Sequence, residues 1–255
     1  PQGRCTLTTG IPVTQTDVTG ATTVYYTPSS SGSYIPITVD NGTTFIMTTF
    51  TELSQATTDA TKSPAAVAAS KVYDVFVWSD SGTIRSTRGP AWTSDTSRGT
   101  GADTSELDFS KAFPTNKVAI TNGPGANNGV LVCSIRSNAS SQINDSVLFR
   151  WVSNVYNTAR RSLVWQDSAA NHNYTTATYR QWGADTSAQV DFLSSLAGNL
   201  VTLRNGANSL NSGTGAFTLI NIGIDSTSVG SSQNTTGPSL AVAAAAFPHP
   251  DPHAV

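Results

Sequence analysis

At 255 residues the chain is long enough to bury roughly three-quarters of the surface its unfolded form exposes, so its core needs neither a metal nor a disulfide. Charged residues are only 12% of the chain, the net charge is −2 and the basic residues stand singly apart from Arg160-Arg161, which leaves no footprint for duplex nucleic acid. No stretch approaches the roughly 20 consecutive apolar residues of a membrane-spanning helix, and Pro1-Gln2-Gly3-Arg4-Cys5-Thr6 does not read as a secretory signal.

The 37 Thr and 32 Ser are set against two glutamates, Glu52 and Glu106. A water-facing helix usually carries Glu and Lys, whereas β-branched Thr packs well on a pleated surface, so this polar surface predicts a mainly β fold. Apolar residues make up 38% of the chain, and Trp78, Trp92, Trp151, Trp165 and Trp182 are spread along it, which argues for a packed structure rather than disorder.

In chain order, Thr22 to Tyr26, Ile35 to Val39 and Thr44 to Phe50 read as strands of an N-terminal β-meander, with Asp40-Asn41-Gly42 as a tight connection. Ala56 to Ser70 has Pro64 in its middle and no aromatic anchor, and reads as a linker. Lys71 to Trp78 is the clearest strand, with Tyr73, Val75 and Val77 on one face and Val72, Asp74, Phe76 and Trp78 on the other. Ser79-Asp80-Ser81-Gly82 turns it back into Thr83 to Arg88, and a surface excursion over residues 88–103 follows, pinned by Trp92. A second hairpin joins Lys117 to Thr121 with Val130 to Arg136. Asp145 to Arg160 carries Leu148, Val152, Val155 and Ala159 at helical spacing, with Asn144 or Asp145 placed to cap the first turn and Arg160-Arg161 near the last, which predicts one amphipathic helix.

Beyond it, strands are expected at Leu163 to Gln166, Tyr174 to Trp182, Gln189 to Leu193, Asn199 to Arg204, Ala216 to Ile224 and Ser239 to Phe247. The expected fold is thus a β-sandwich, jelly-roll-like, with one amphipathic helix at about 145–160 and an N-terminal β-meander. Its expected divisions are an N-terminal β segment over 1–58, a linker over 59–70, a β-sandwich region with the helix over 71–247 and a proline-rich surface tail over 248–255.

No catalytic, cofactor-binding or metal-binding residues emerge from the sequence. His172 lies in a turn, while His249 and His253 lie among prolines that forbid the helix needed to bring two imidazoles together. Asp95, Asp103, Glu106 and Asp108 offer oxygen ligands or a carboxylate pair, but do not match the calcium-loop spacing, and in so turn-rich a stretch capping of backbone N–H groups is the better reading. Cys5 and Cys133 lie far apart and form no metal or redox motif, so they are read as two unpaired thiols, Cys133 acting as a small buried hydrophobe. Tyr174, Tyr179 and Trp182 offer faces on which sugar rings could stack, and core packing explains them as well or better.

Thr16 to Pro28 (Thr-Asp-Val-Thr-Gly-Ala-Thr-Thr-Val-Tyr-Tyr-Thr-Pro) resembles a widespread family of tailed-bacteriophage virion surface proteins. The resemblance continues through Thr48 to Ser54, Val72 to Trp78 with the following turn, Gly89 to Arg98, the segment around Tyr156-Asn157 and Arg160-Arg161, and Tyr174 to Gln181, spanning about residues 4 to 230. It departs from the family pattern at Ser29 to Tyr34 and at the proline-rich end.

The resemblance implies a non-enzymatic structural component of a phage particle surface: a capsid decoration, a head fibre or spike, or a tail fibre, exposed to the host. It also implies assembly in the reducing cytoplasm of a bacterial host, which accords with unpaired cysteines. Expected partners are other virion proteins and further copies of the chain, as a homotrimer, with neither nucleic-acid binding nor membrane insertion. A receptor-binding module for host surface glycans is the alternative, and a polysaccharide depolymerase ranks third. Head or tail location, receptor identity and receptor-binding residues are not legible in the sequence.

Overall fold

A computed structural model of the chain describes residues 1–30, 32–39, 43–169, 185 and 187–196, and the backbone of 200–209, 218–224, 227–235 and 239–248. The fold is mainly β, and among the described residues there is no helix. Contacts divide the chain into one compact unit of Pro1–Ala170 with Thr186–Ser195, and a second of Asn171–Asp185 with Leu196–Val255.

In the first unit, β1 (Gly3–Thr6), β3 (Thr23–Pro28) and β6 (Leu53–Ala56) form an antiparallel sheet in the order β1-β3-β6. A larger sheet has the order β8-β7-β11-β10-β9, made of β7 (Val72–Asp80), β8 (Thr83–Ala91), β9 (Leu107–Asp108), β10 (Thr115–Asn116) and β11 (Val130–Arg136), with β14 (Val152–Asn154) also paired to β11. β2 (Val18–Ala21), β12 (Ile143–Asp145), β13 (Phe149–Arg150) and β15 (Asp191–Phe192) make a third sheet, and β4 (Tyr34–Thr38) with β5 (Phe45–Thr49) a two-stranded ribbon. In the second unit, β16 (Leu200–Ser209) pairs with β19 (Ser239–Pro248), and β17 (Thr218–Ile224) with β18 (Thr227–Thr235).

The alternation of β7 decides where the core sits. Tyr73, Val75 and Val77 meet Cys5, Val24 and Tyr26 of the three-stranded sheet, Ile35 and Ile37 of β4, and Ile143 of β12 in one buried cluster. On β11 a register shift between Leu131 and Cys133 places Val132, Cys133 and Ile135 together in that cluster, as a bulge does when it sets two neighbouring residues opposite one. The two-residue connection Ser81-Gly82 joins Asp80 to Thr83, and both residues take positive φ (50° and 91°), which the twist of a tight hairpin requires. Gly3 allows β1 to close on the sheet: a Cβ there would stand 2.4 Å from the Tyr26 ring, whose hydroxyl accepts the Gly3 N–H at 3.0 Å.

The amphipathic helix expected over 145–160 is replaced by a tight hairpin and a sheet strand. Asp145 pairs with Arg150 across a turn in which the Ser146 and Phe149 backbones exchange hydrogen bonds, and β14 then lies antiparallel on β11, with Cys133 opposite Asn154. Of Leu148, Val152 and Val155 only Val152 lies in a strand, Leu148 falling in the turn and Val155 just past β14, and this segment is rich in β-branched and aromatic residues that a sheet accepts more readily. Asp145, read as a cap, instead receives Arg150 at 3.0 Å and Arg161 at 3.2 Å, so Arg161 neutralises a buried carboxylate rather than a helix end.

The cysteines are likewise corrected. Cys5 and Cys133 form a disulfide with a Cα–Cα distance of 6.3 Å, joining β1 to β11 across 128 positions, a pairing that neither their spacing nor cytoplasmic assembly suggests. Asn154 reinforces the junction, accepting the Cys5 N–H at 2.6 Å and donating to the Cys5 carbonyl at 3.1 Å.

Other segments differ in extent from expectation. The hairpin partner of β11 is Thr115–Asn116 rather than Lys117 to Thr121, and Leu163 to Gln166 is not a strand. Thr227–Thr235 is a strand that the sequence did not suggest. Asp40-Asn41-Gly42, Tyr174 to Trp182 and the tail after Pro248 lie outside the described residues. Residues 59–70 run against the larger sheet, where the buried Arg88 guanidinium donates to the carbonyls of Ala56, Asp59 and Ala65 at 3.1, 3.0 and 2.5 Å.

Removing a native disulfide that closes so long a loop costs about 2–5 kcal/mol, chiefly by releasing the unfolded chain. Urea unfolding of the Cys5→Ser/Cys133→Ser variant should show a loss of that size, and the wild type in reductant should match it; equal stability of all three would mean that the bridge does not form.

Candidate functional site

The densest polar constellation is buried behind the outer face of the larger sheet. Asp74, fully buried on β7, accepts Arg98 Nε at 2.6 Å on one oxygen and Arg98 Nη2 at 3.0 Å on the other. Trp92 Nε1 donates to it at 3.1 Å and Ser134 Oγ at 2.5 Å, and the Arg98 guanidinium stacks 4.1 Å from the centre of the Trp92 ring. Arg98 Nη2 reaches on to the carbonyl of Ser195 at 2.6 Å, whose hydroxyl accepts the Ser134 N–H at 3.0 Å and donates to the Ser153 carbonyl at 2.5 Å.

This arrangement closes rather than opens a site. Both carboxylate oxygens are filled by donors, the guanidinium lies between an aromatic face and a carbonyl, and the side chains of Asp74 and Arg98 are 0% and 1% exposed. Its chemistry is to hold the excursion after Trp92, and the segment ending at Ser195, against the sheet. The sequence places Asp74 among apolar residues, which signals a buried partner, but Arg98 is 24 positions away and nothing local marks it as that partner.

The acidic residues of the excursion do not converge. Asp95 pairs with Arg136 at 2.9 Å, while Glu106 accepts the Gly101 N–H at 2.8 Å and Lys117 Nζ at 2.5 Å. Asp108 caps the Ser110 N–H at 2.7 Å, and Asp103 takes a positive φ of 57° in a turn. The Gly101 N–H, with Lys117, holds the Glu106 carboxyl below the ordinary glutamate range. Among the described residues no three His, Cys, Asp or Glu side chains come together as metal ligands. His172, His249, His253, Tyr174, Tyr179 and Trp182 lie outside the described residues.

The solvent-facing candidate is the turn end of the β7–β8 hairpin. Trp78 is partly exposed, its indole N–H donating to Thr87 Oγ1 at 2.8 Å, and Asp80, two residues on along the same face, binds Arg85 Nε at 2.6 Å. Trp78 and Asp80 line both of two shallow grooves. The larger, about 380 Å³, is completed by Thr61, Lys62, Arg85 and Asn122, and the smaller, about 180 Å³, by Thr38, Val39, Ser79, Ser81 and Asn128. The sequence shows Trp78 only as the last residue of a buried strand, and does not show that the loops at 59–62 and 121–123 come to its side.

Comparison with protein-family models, with curated proteins and with solved structures finds no match for this chain.

Breaking a buried ion pair by removing one partner strands the other charge and costs about 3–5 kcal/mol. Arg98→Met should therefore lose stability on that scale in urea unfolding, and Asp74→Asn/Arg98→Met should recover part of it. A single variant as stable as the wild type would refute the role given to the pair.

Proposed function

We propose that this chain is a structural component of a phage particle surface, exposed to the host as a capsid decoration, a head fibre or spike, or a tail fibre. The observation that carries the reading is where the chain spends its polar chemistry: the Asp74–Arg98–Trp92 centre is closed to solvent and locks surface loops onto a β core. The Cys5–Cys133 bridge adds to this, since a covalent staple suits a protein that works outside the cell. On this reading the two sheets that share the bridged core act as the sandwich of a surface module, and the bridge closes after the chain leaves the reducing cytoplasm.

Gold-labelled antibody raised against the purified chain should decorate intact particles of a phage that encodes it. Unlabelled particles, with all antigen in the soluble fraction of the lysate, would count against the proposal.

Particle proteins that sit on symmetry axes present many copies through closed rotational symmetry, and the proposal includes a homotrimer on that ground. Light scattering should then return three times the 26.6 kDa of one chain, and a single-chain mass that does not change on concentration would remove the trimer from it.

A second reading, a module that binds host surface glycans, is favoured by the grooves beside Trp78.

A further inference from the structure

The geometry points to a carbohydrate-binding site in the larger groove beside Trp78, with the indole as the platform for one sugar ring. This rests on the glycan-binding reading and is independent of where the protein resides.

The platform is fixed before any ligand arrives. The Trp78 indole N–H is satisfied by Thr87 Oγ1 at 2.8 Å, and Arg85, directly opposite Trp78 on β8, is tied to Asp80 at 2.6 Å. An aromatic face with its polar atom already satisfied offers apolar area at low entropic cost, which suits the C–H face of a pyranose.

The rest of the lining is equally held. Asp59 Oδ1 accepts the backbone N–H of Thr61 at 2.7 Å and of Lys62 at 3.2 Å, the Asp59 carbonyl is gripped by buried Arg88, and Asn122, at a φ of 59°, donates from Nδ2 to the Ala60 carbonyl at 2.9 Å. Preorganisation of this kind reduces the ordering cost that otherwise weakens binding in shallow sites.

The choice of ligand follows from the mixture of groups. Sugar hydroxyls both donate and accept, and the groove offers a carboxylate, a guanidinium, an ammonium, an amide and a hydroxyl around one aromatic face. A phosphate or sulfate would want donors alone and would meet the Asp80 carboxylate in either groove. The volume of about 380 Å³ falls in the range of small-molecule clefts, roughly 300–1,000 Å³.

The test is titration of the whole chain with bacterial surface oligosaccharides, with lipopolysaccharide-derived and peptidoglycan-derived saccharides as separate arms and inorganic phosphate as the anion control. It is followed by two-dimensional NMR of the five tryptophan indole N–H signals, the Trp78 signal being the one that Trp78→Phe deletes. A saccharide should shift the Trp78 signal, Trp78→Ala should weaken binding by about tenfold or more, equivalent to about 1.4 kcal/mol, and Lys62→Ala should weaken it less. Should Trp78→Ala fail to fold, Lys62→Ala and the indole shift in the wild type carry the decision. Saccharide binding that leaves the Trp78 signal and both variants unaffected would overturn this site while sustaining the glycan-binding reading. No binding in either saccharide arm would overturn both, and a phosphate response equal to that of the sugars would make the groove an anion site and overturn the proposal.

Discussion

A carboxylate in the middle of a buried strand governs much of this structure. Asp74 occupies a position on β7 whose neighbours Val72 and Phe76 are also buried, so it must be matched by donors or the sheet loses more than the strand gains. Four donor groups from Arg98, Trp92 and Ser134 meet that demand, and each brings its own segment with it. The irregular excursion after β8 thus acquires a defined path without secondary structure of its own. Through Ser195, the same centre reaches a segment 97 positions beyond Arg98.

Arginine serves a parallel purpose elsewhere. Arg88 is buried among three carbonyls of the loop beside it, and Arg150 and Arg161 converge on Asp145. A guanidinium carries five donors in a planar fork, so one side chain can gather several carbonyls or one carboxylate with little loss of freedom. In a chain with few charges, these arginines are concentrated at the points where loops must be held still. The wall of the Trp78 groove inherits its rigidity from one of them.

What the sequence reveals depends on the range of the interaction. The alternation of β7 and the turn at Ser81-Gly82 are local, and strand, hairpin and inward face all follow from them. The pairing of Cys5 with Cys133, or of Asp74 with Arg98, depends on which strands become neighbours, and no local pattern encodes that. The segment after Asn144 shows a different difficulty: its apolar residues recur at helical spacing, and long-range pairing of β14 with β11 overrides that local signal. The groove beside Trp78 is hidden for the same reason, since its walls come from loops near residues 61 and 122 and from a hairpin between them in sequence.

The bridge between β1 and β11 also determines how the first unit carries mechanical load. Tension applied at Pro1 passes through four residues to Cys5 and from there directly into Cys133, near the centre of the larger sheet, so the whole stretch between the two cysteines is bypassed. Pulling therefore cannot peel β3 and β6 away one after another, and the Trp78 hairpin, the Arg88 clamp and the Arg98 excursion all lie inside the shielded stretch. A chain anchored through its N-terminus would keep this part of its surface intact under drag, until the strands that follow Cys133 gave way.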